Sequence, residues 1–346
     1  MKPLQLDGDP RRLGFAHGLA LRARIRGFLD ADLARLNRIL LEPTSLAALR
    51  PTIAAHHQVI VEEMPDIAEE LAGLAEGAGL SLEEAVLLQI RREVMGYSRA
   101  WTGGDCTTFC RFTPDGPILG QTIDLNGDLD DQVQVLDIAH AGGRQVLVLT
   151  FTGLLGYLGS NCDGLAIGLN LVLGGAWSPG VPPYLAIRHL LDACPDVETC
   201  IEHLGKMRLA SSRSLILCDS RGAAFVELCG GRMEVQRGTT LAHANHFLSE
   251  PFVACDEMNP FSKNSSVRRL DRCREGLARL NSSRDPDAYM AMLCEPPILV
   301  RSNGNIRRER TVAAVVLTPG QGAMRVRIGD VASAPTHCFI LGDRDG

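Results

Sequence analysis

The chain changes texture once, at residue 106, and that change limits the folds open to it. Before this point apolar residues recur at helical spacing; beyond it short apolar runs alternate with tight turns and glycines. At the seam stands Asp105-Cys106-Thr107-Thr108-Phe109-Cys110. A free cysteine at a strand start is ordinarily a small buried hydrophobe. A Cys-Thr-Thr between a helical leader and a β-rich body fits a second reading, an internal nucleophile released as a new N-terminus by cutting the bond before it.

In the leader, Leu13, Phe15, Leu19, Leu21, Ile25, Leu29, Leu33, Leu36 and Ile39 predict one helix over 10–42. Gly14, His17 and Gly18 near its start permit close packing. Further helices are expected over 45–62 and 66–77. Ser81-Leu82-Glu83-Glu84 has capping-box spacing, so a fourth should run from Leu82 to Val94. Residues 96–105, with Gly103-Gly104, read as an exposed loop.

In the body, hairpins are expected from Cys106–Thr113 with Pro117–Asp124, and from Val133–His140 with Arg144–Phe151. A strand over Gly164–Leu171, helices over 183–194 and 196–207, and a strand pair Ser214–Cys218 and Ala223–Cys229 follow. Helices over 265–280 and 286–294 precede strands Thr311–Leu317 and Met324–Ile328. The runs Val146-Leu147-Val148-Leu149 and Leu215-Ile216-Leu217 are continuously apolar, as in strands covered on both faces. Hairpins, paired helices and doubly covered strands together predict an α+β fold, two antiparallel sheets between helical layers, αββα.

Composition narrows the function. Of 346 residues, 45% are hydrophobic and 22% charged, enough for a sizeable core. A net charge of −6, without a run of like charges, argues against nucleic acid as a partner. No apolar stretch predicts a membrane span or an export signal. Eleven cysteines without framework spacing read as reduced thiols, so the expected location is the cytoplasm.

The motifs carry a resemblance. Leu13-Gly14-Phe15-Ala16-His17-Gly18, Cys106-Thr107-Thr108, Gly120-Gln121-Thr122-Ile123-Asp124, Gly159–Asn170 and His243-Ala244-Asn245-His246 follow in order. Together they resemble the acyl-coenzyme A:6-aminopenicillanate (isopenicillin N) acyltransferase-like family of N-terminal-nucleophile hydrolases. Asp105 stands where the fungal enzyme has glycine. The resemblance implies cleavage between Asp105 and Cys106, giving an α chain, residues 1–105, that stays bound to a β chain, residues 106–346. It further implies Cys106 as nucleophile and Asp124 as the anchor of its ammonium group. The Asn245 side chain and the Asn170 backbone N–H would form an oxyanion hole, and Arg310 or Arg308 an orienting cation.

The chemistry follows from residue type. A thiol titrates near 8.5 and an α-amine at about 7.7–8.0, so an N-terminal cysteine carries nucleophile and base on one residue. The expected substrate is a small-molecule acyl amide or acyl thioester, with no cofactor. The first functional reading is a linear amidohydrolase; the others are an acyltransferase using the same acyl-enzyme, and a binding protein that is never cut. Asp124–Asp130 mimics a calcium loop but has Leu129 and Val135 where glycine and glutamate are needed. His243 with His246, or Cys106 with Cys110, lack a second ligand pair, so no metal is expected. His56-His57 reads as a solvated helix face, and Trp101, Trp177 and Tyr157 as core or pocket-rim residues.

Overall fold

The computed structural model describes residues 1–96, 106–281 and 283–343. The expected 96–105 loop, with Trp101 and Asp105, therefore lies outside the described residues from 97 onward.

The leader opens with a strand that the periodicity did not predict, β1 (Leu4–Gly8). Its helices are α1 (Pro10–Ala20), α2 (Arg22–Asp30), α3 (Leu36–Ile39), α4 (Leu46–Glu63), α5 (Pro65–Ala78), α6 (Leu82–Gln89) and α7 (Arg91–Met95). The single helix expected over 10–42 is broken. Asp32 to Arg35 all have positive φ, 54–60°, the left-handed region that non-glycine residues enter at a cost. The turn is held from outside: the Arg35 guanidinium donates to the Gly127 and Asp128 carbonyls and to Asp131. The expected capping box forms, with Ser81 and Glu84 bonded reciprocally.

The body contains β2 (Thr108–Thr113), β3 (Gly116–Leu125), β4 (Val133–His140), β5 (Gln145–Phe151), β6 (Leu158–Asn161), β7 (Ala166–Leu171), α8 (Pro183–Ala193) and α9 (Val197–Leu204). There follow β8 (Arg213–Cys218), β9 (Ala223–Cys229), β10 (Arg232–Arg237), β11 (Thr240–His243), α10 (Glu250–Val253), α11 (Pro260–Arg279), α12 (Pro286–Leu293), β12 (Arg310–Thr318), β13 (Ala323–Ile328) and β14 (His337–Ile340).

These strands form two sheets, ordered β1-β4-β5-β6-β7-β8-β9-β10 and β11-β2-β3-β12-β13-β14. All pairings are antiparallel except β1 on β4, where Leu4 faces Leu136 and Gly8 faces His140. β3 and β7 meet across the interface; α8 and α9 cover the larger sheet, and α11 and α12 the smaller. The αββα layering expected from the sequence is the fold. The continuously apolar Val146–Leu149 and Leu215–Leu217 lie inside the larger sheet, at most 1% exposed.

The leader is built into this body. Leu13, Ile25, Leu74 and Leu87 share one apolar core with Leu136, Leu149 and Leu215. His56, expected on a solvated face, is buried at 3% exposure and its Nδ1 lies 3.0 Å from the Gly180 carbonyl. The leader motif is structural. α1 and α5 run side by side in the same direction, and a Cβ on Gly14, Gly18, Gly73 or Gly77 would stand 1.9–2.4 Å from a backbone carbonyl oxygen of the other helix. His17 is fully buried, and burial lowers its pKa to about 4, so it packs there as a neutral ring. Gly14→Ala is expected to cost about 1–3 kcal/mol in urea unfolding, because two backbones must separate. Gly27→Ala, exposed on α2 with nothing near its Cβ, should instead stabilise by up to about 1 kcal/mol. Equal effects at the two positions would contradict this packing account.

No helix among the described residues is long and apolar enough to cross a membrane.

Candidate active site

Elements of both sheets converge on Cys106. β2 is a central strand, paired with β3 on one side and β11 on the other, so its start is fixed from two directions: Thr108 faces Gln121 and His243. Just before it, Cys106 is 5% exposed. The Asp124 backbone N–H points at Cys106 Sγ from 3.4 Å, and Sγ lies 3.8 Å from the Asp124 carbonyl oxygen. Thr122 links the two strand ends, accepting from the Thr107 N–H at 3.0 Å and donating to Asp124 Oδ2 at 3.4 Å.

The other sheet contributes Asn170. Its carboxamide nitrogen donates to the Cys106 carbonyl at 2.9 Å, and its oxygen accepts from the Thr108 hydroxyl at 2.5 Å. The side chain is thereby occupied in holding the nucleophile's strand. Gln121 crosses the same interface, accepting from the Leu169 N–H at 2.9 Å, which makes it a tie between sheets.

Asn245 follows the end of β11. Its carboxamide nitrogen donates to the Leu171 carbonyl at 2.8 Å, leaving one N–H of the pair for another acceptor. Its backbone N–H donates to Ser266 Oγ at 2.7 Å, and its carboxamide oxygen accepts from Arg269 at 2.8 Å. The flanking histidines support the loop. His243 sits between Glu227, 2.7 Å from Nε2, and the Ala244 carbonyl, 2.7 Å from Nδ1. Glu227 also accepts from the Leu248 and Ser249 N–H groups. Burial pushes the Glu227 carboxyl up, but His243 and these amides outweigh it and hold it below the usual range. His246 Nδ1 lies 2.8 Å from Ser266 Oγ; burial and the neighbouring His243 lower its pKa to about 4.

Arg269 escaped the sequence reading. Fully buried on α11, it donates to the Cys106 carbonyl at 2.7 Å, to Thr107 Oγ1 at 3.1 Å and to Asn245 Oδ1 at 2.8 Å. It joins the nucleophile's backbone to the asparagine expected to meet an oxyanion. The cation sought at Arg310 or Arg308 is placed differently: Arg310 pairs with Asp128 and Asp130, and the Arg308 N–H caps the Asn305 carbonyl. The acidic run Asp124–Asp130 thus engages an arginine. No grouping of metal-binding side chains is present among the described residues.

Over Cys106 and Asp124 lies a cavity lined largely by apolar and aromatic side chains, among them Phe28, Leu88, Leu129, Phe151, Leu154 and Tyr157. Tyr157 stacks on Tyr184 with ring centres 5.0 Å apart, and burial with the nearby Cys106 keeps its phenol protonated well past the usual range. Trp177 stands behind this wall, its indole N–H donating to Ser212 Oγ at 3.0 Å.

An αββα sandwich with a buried cysteine at the head of a central strand, facing a largely apolar cavity, is the architecture of an N-terminal-nucleophile hydrolase. The family model for acyl-coenzyme A:6-aminopenicillanic acid acyl-transferase matches residues 111–331, and the chain belongs to that family of acyl-transferring enzymes. It is 26% identical to the acyl-coenzyme A:6-aminopenicillanic-acid-acyltransferase 40 kDa form of Emericella nidulans, over 97% of this chain and 94% of that one. Two solved structures share the fold. An N-acylethanolamine-hydrolyzing acid amidase ortholog of Caenorhabditis elegans matches with a TM-score of 0.50 and 16% identity, covering 68% of this chain and 100% of that one. Penicillin V acylase from Agrobacterium tumefaciens matches with a TM-score of 0.50 and 12% identity, covering 69% and 86%.

Proposed function

We propose that this protein is a self-processing cysteine amidohydrolase that cleaves a linear N-acyl amide through an acyl-enzyme on Cys106. Before activation the Cys106 nitrogen is an amide and cannot act as a base. Attack of Sγ on the Asp105 carbonyl would move the peptide bond to a thioester, and water would release the chain over 1–105. The freed α-amine can then take the thiol proton and later pass it to the leaving amine. Asp124, 2% exposed beside the sulfur, is the carboxylate available to an ammonium there. The observation that carries this reading is the convergence of Asp124 on the Cys106 sulfur and of Asn170 and Arg269 on its carbonyl, with Asn245 held by the same Arg269, where Cys106 and Asp124 face one apolar cavity.

Asn245 is assigned to the oxyanion through its remaining carboxamide N–H. Asn245→Ala is expected to lower kcat by about 10²–10³-fold, the usual loss for one such donor. A variant with unchanged kcat and raised KM would remove Asn245 from the oxyanion hole. Acyl transfer to an amine is the second reading, favoured by the acyltransferase activity in the name of the Emericella relative. Both share the acyl-enzyme, so one experiment tests both: acyl p-nitroanilides and acyl thioesters are mixed with the protein, quenched in acid and weighed. An acyl adduct on the chain carrying Cys106 is expected, and added amine should divert it to a new amide if transfer dominates. Turnover without any adduct, or an adduct elsewhere, would sink the reading.

A further inference from the structure

The cavity over Cys106 is mostly apolar, but three of the side chains lining it end in polar groups that the rest of the protein does not engage. Asn126, Tyr157 and Tyr184 are 6%, 3% and 9% exposed. Neither the Asn126 carboxamide nor either hydroxyl makes a hydrogen bond among the described residues. Thr152 on the same wall shows the contrast, since its hydroxyl already donates to the Gln132 carbonyl at 3.3 Å.

Asn126 follows the last residue of β3. After it the chain turns at Gly127, where φ is 88° and the N–H donates to the Ile306 carbonyl at 2.9 Å. An asparagine at such a turn ordinarily bonds the backbone two positions on; this one lines the cavity instead. Tyr157 and Tyr184 are stacked, with ring centres 5.0 Å and planes 19° apart, so their rings form one wall. Burial raises the pKa of both phenols, and each stays a neutral O–H.

The charges around the cavity balance. Arg91, Arg92 and Arg213 stand against Asp124 and Glu309, with Glu93 3.4 Å from Arg213. The wall therefore calls for no ionic ligand, while its neutral polar ends still need partners. Solvent can satisfy them only until a substrate fills the cavity. A wholly apolar substrate would then leave three buried polar groups unpaired, which is how a site built for hydrogen bonding rejects analogues that lack the bonding group. The scissile amide cannot supply all three, because its carbonyl is assigned to Asn245 and its single N–H serves one acceptor.

We propose that the substrate of Cys106 carries, besides the scissile amide, a second uncharged group that both donates and accepts hydrogen bonds, a carboxamide or a hydroxyl, and that Asn126, Tyr157 and Tyr184 bind it. This inference rests on Cys106 being the acyl acceptor, but it selects among amides that would otherwise react alike.

The test compares carboxamides with their isopropyl isosteres on the wild-type protein: N-phenylacetylglycinamide against N-isobutylphenylacetamide, and succinamoyl p-nitroanilide against 4-methylpentanoyl p-nitroanilide. The pairs place the polar group on the amine half and on the acyl half respectively. In one pair kcat/KM should favour the carboxamide by about a hundredfold or more. Asn126→Leu, Tyr157→Phe and Tyr184→Phe should each cut that ratio by about tenfold, the worth of one hydrogen bond. A merely structural role would lower both members of a pair alike and leave the ratio standing. Equal turnover within both pairs, or a ratio that survives all three substitutions, would overturn the inference while leaving the acyl-enzyme intact. If no member is turned over, calorimetry on the wild type decides. Binding of a carboxamide at least tenfold tighter than its isostere supports the polar subsite; equal or absent binding overturns it. Absence of any acyl adduct, by contrast, would mark failure of the acyl-enzyme reading itself.

Discussion

Cys106→Ala is expected to abolish turnover, by roughly a millionfold if Cys106 is the covalent nucleophile, while leaving the fold in place. The sulfur is one heavy atom at a strand end, and its loss from a 5%-exposed position should cost no more than about 1–2 kcal/mol. Cys110 is the internal control. Fully buried in β2, four positions beyond Cys106, it lies in the apolar core, so Cys110→Ala should keep activity. Steady-state kinetics on both variants, with circular dichroism to verify folding, makes the comparison. Residual activity above a few per cent in a folded Cys106→Ala protein would remove the nucleophile from the account.

The second large effect concerns the join between leader and body. Arg188 on α8 is fully buried and makes two hydrogen bonds to Glu70 on α5, at 3.0 and 2.8 Å, and two to Asp192, at 3.0 and 2.9 Å. Glu70 is itself 2% exposed. Arg188→Met strands the buried Glu70 carboxylate and leaves the partly exposed Asp192 with His140, 2.9 Å away; breaking a buried pair from one side costs about 3–5 kcal/mol. Urea unfolding should show that loss, and a protein cut before Cys106, as proposed, should shed its leader on gel filtration. Arg188→Met combined with Glu70→Leu should recover part of the stability, because one stranded charge goes with its partner. A single variant with an unchanged midpoint would show that the leader is held by its apolar face alone.

Much of this architecture was legible because burial writes itself into composition. The strands around Val146–Leu149 and Leu215–Leu217 were readable as doubly covered, and Ser81 announced its helix. β1, β6, β10, β11 and β14 were not. They are four to six residues long, several contain glycine, asparagine or charge, and β1 and β11 pair with strands distant in sequence. The break at Asp32–Arg35 was invisible for a related reason. It is imposed by contacts from Arg35 to Gly127, Asp128 and Asp131, about a hundred positions away.

At the site, motif order singled out Cys106, Asp124, Asn170 and Asn245, and the fold brings them together. Arg269 was lost in the charged stretch Arg268-Arg269-Leu270-Asp271-Arg272. A signal was present: Ser266, Arg269, Leu270, Cys273 and Leu277 recur at helical spacing and form the buried stripe of α11. An arginine on a core-facing stripe needs buried acceptors, which the Cys106 carbonyl and Asn245 supply. Arg310 stood out for its place near the C-terminal strands, but the adjacent Asp128 and Asp130 claim it.

The central claim is that Cys106 acts as a freed N-terminus, and intact mass of the purified protein, with Cys106→Ala beside it, tests it most directly. The account predicts two chains in the wild type, 1–105 and 106–346, and one uncut chain in the variant. A single chain in an active wild-type protein would contradict it, since the amine that serves as base would then never be released.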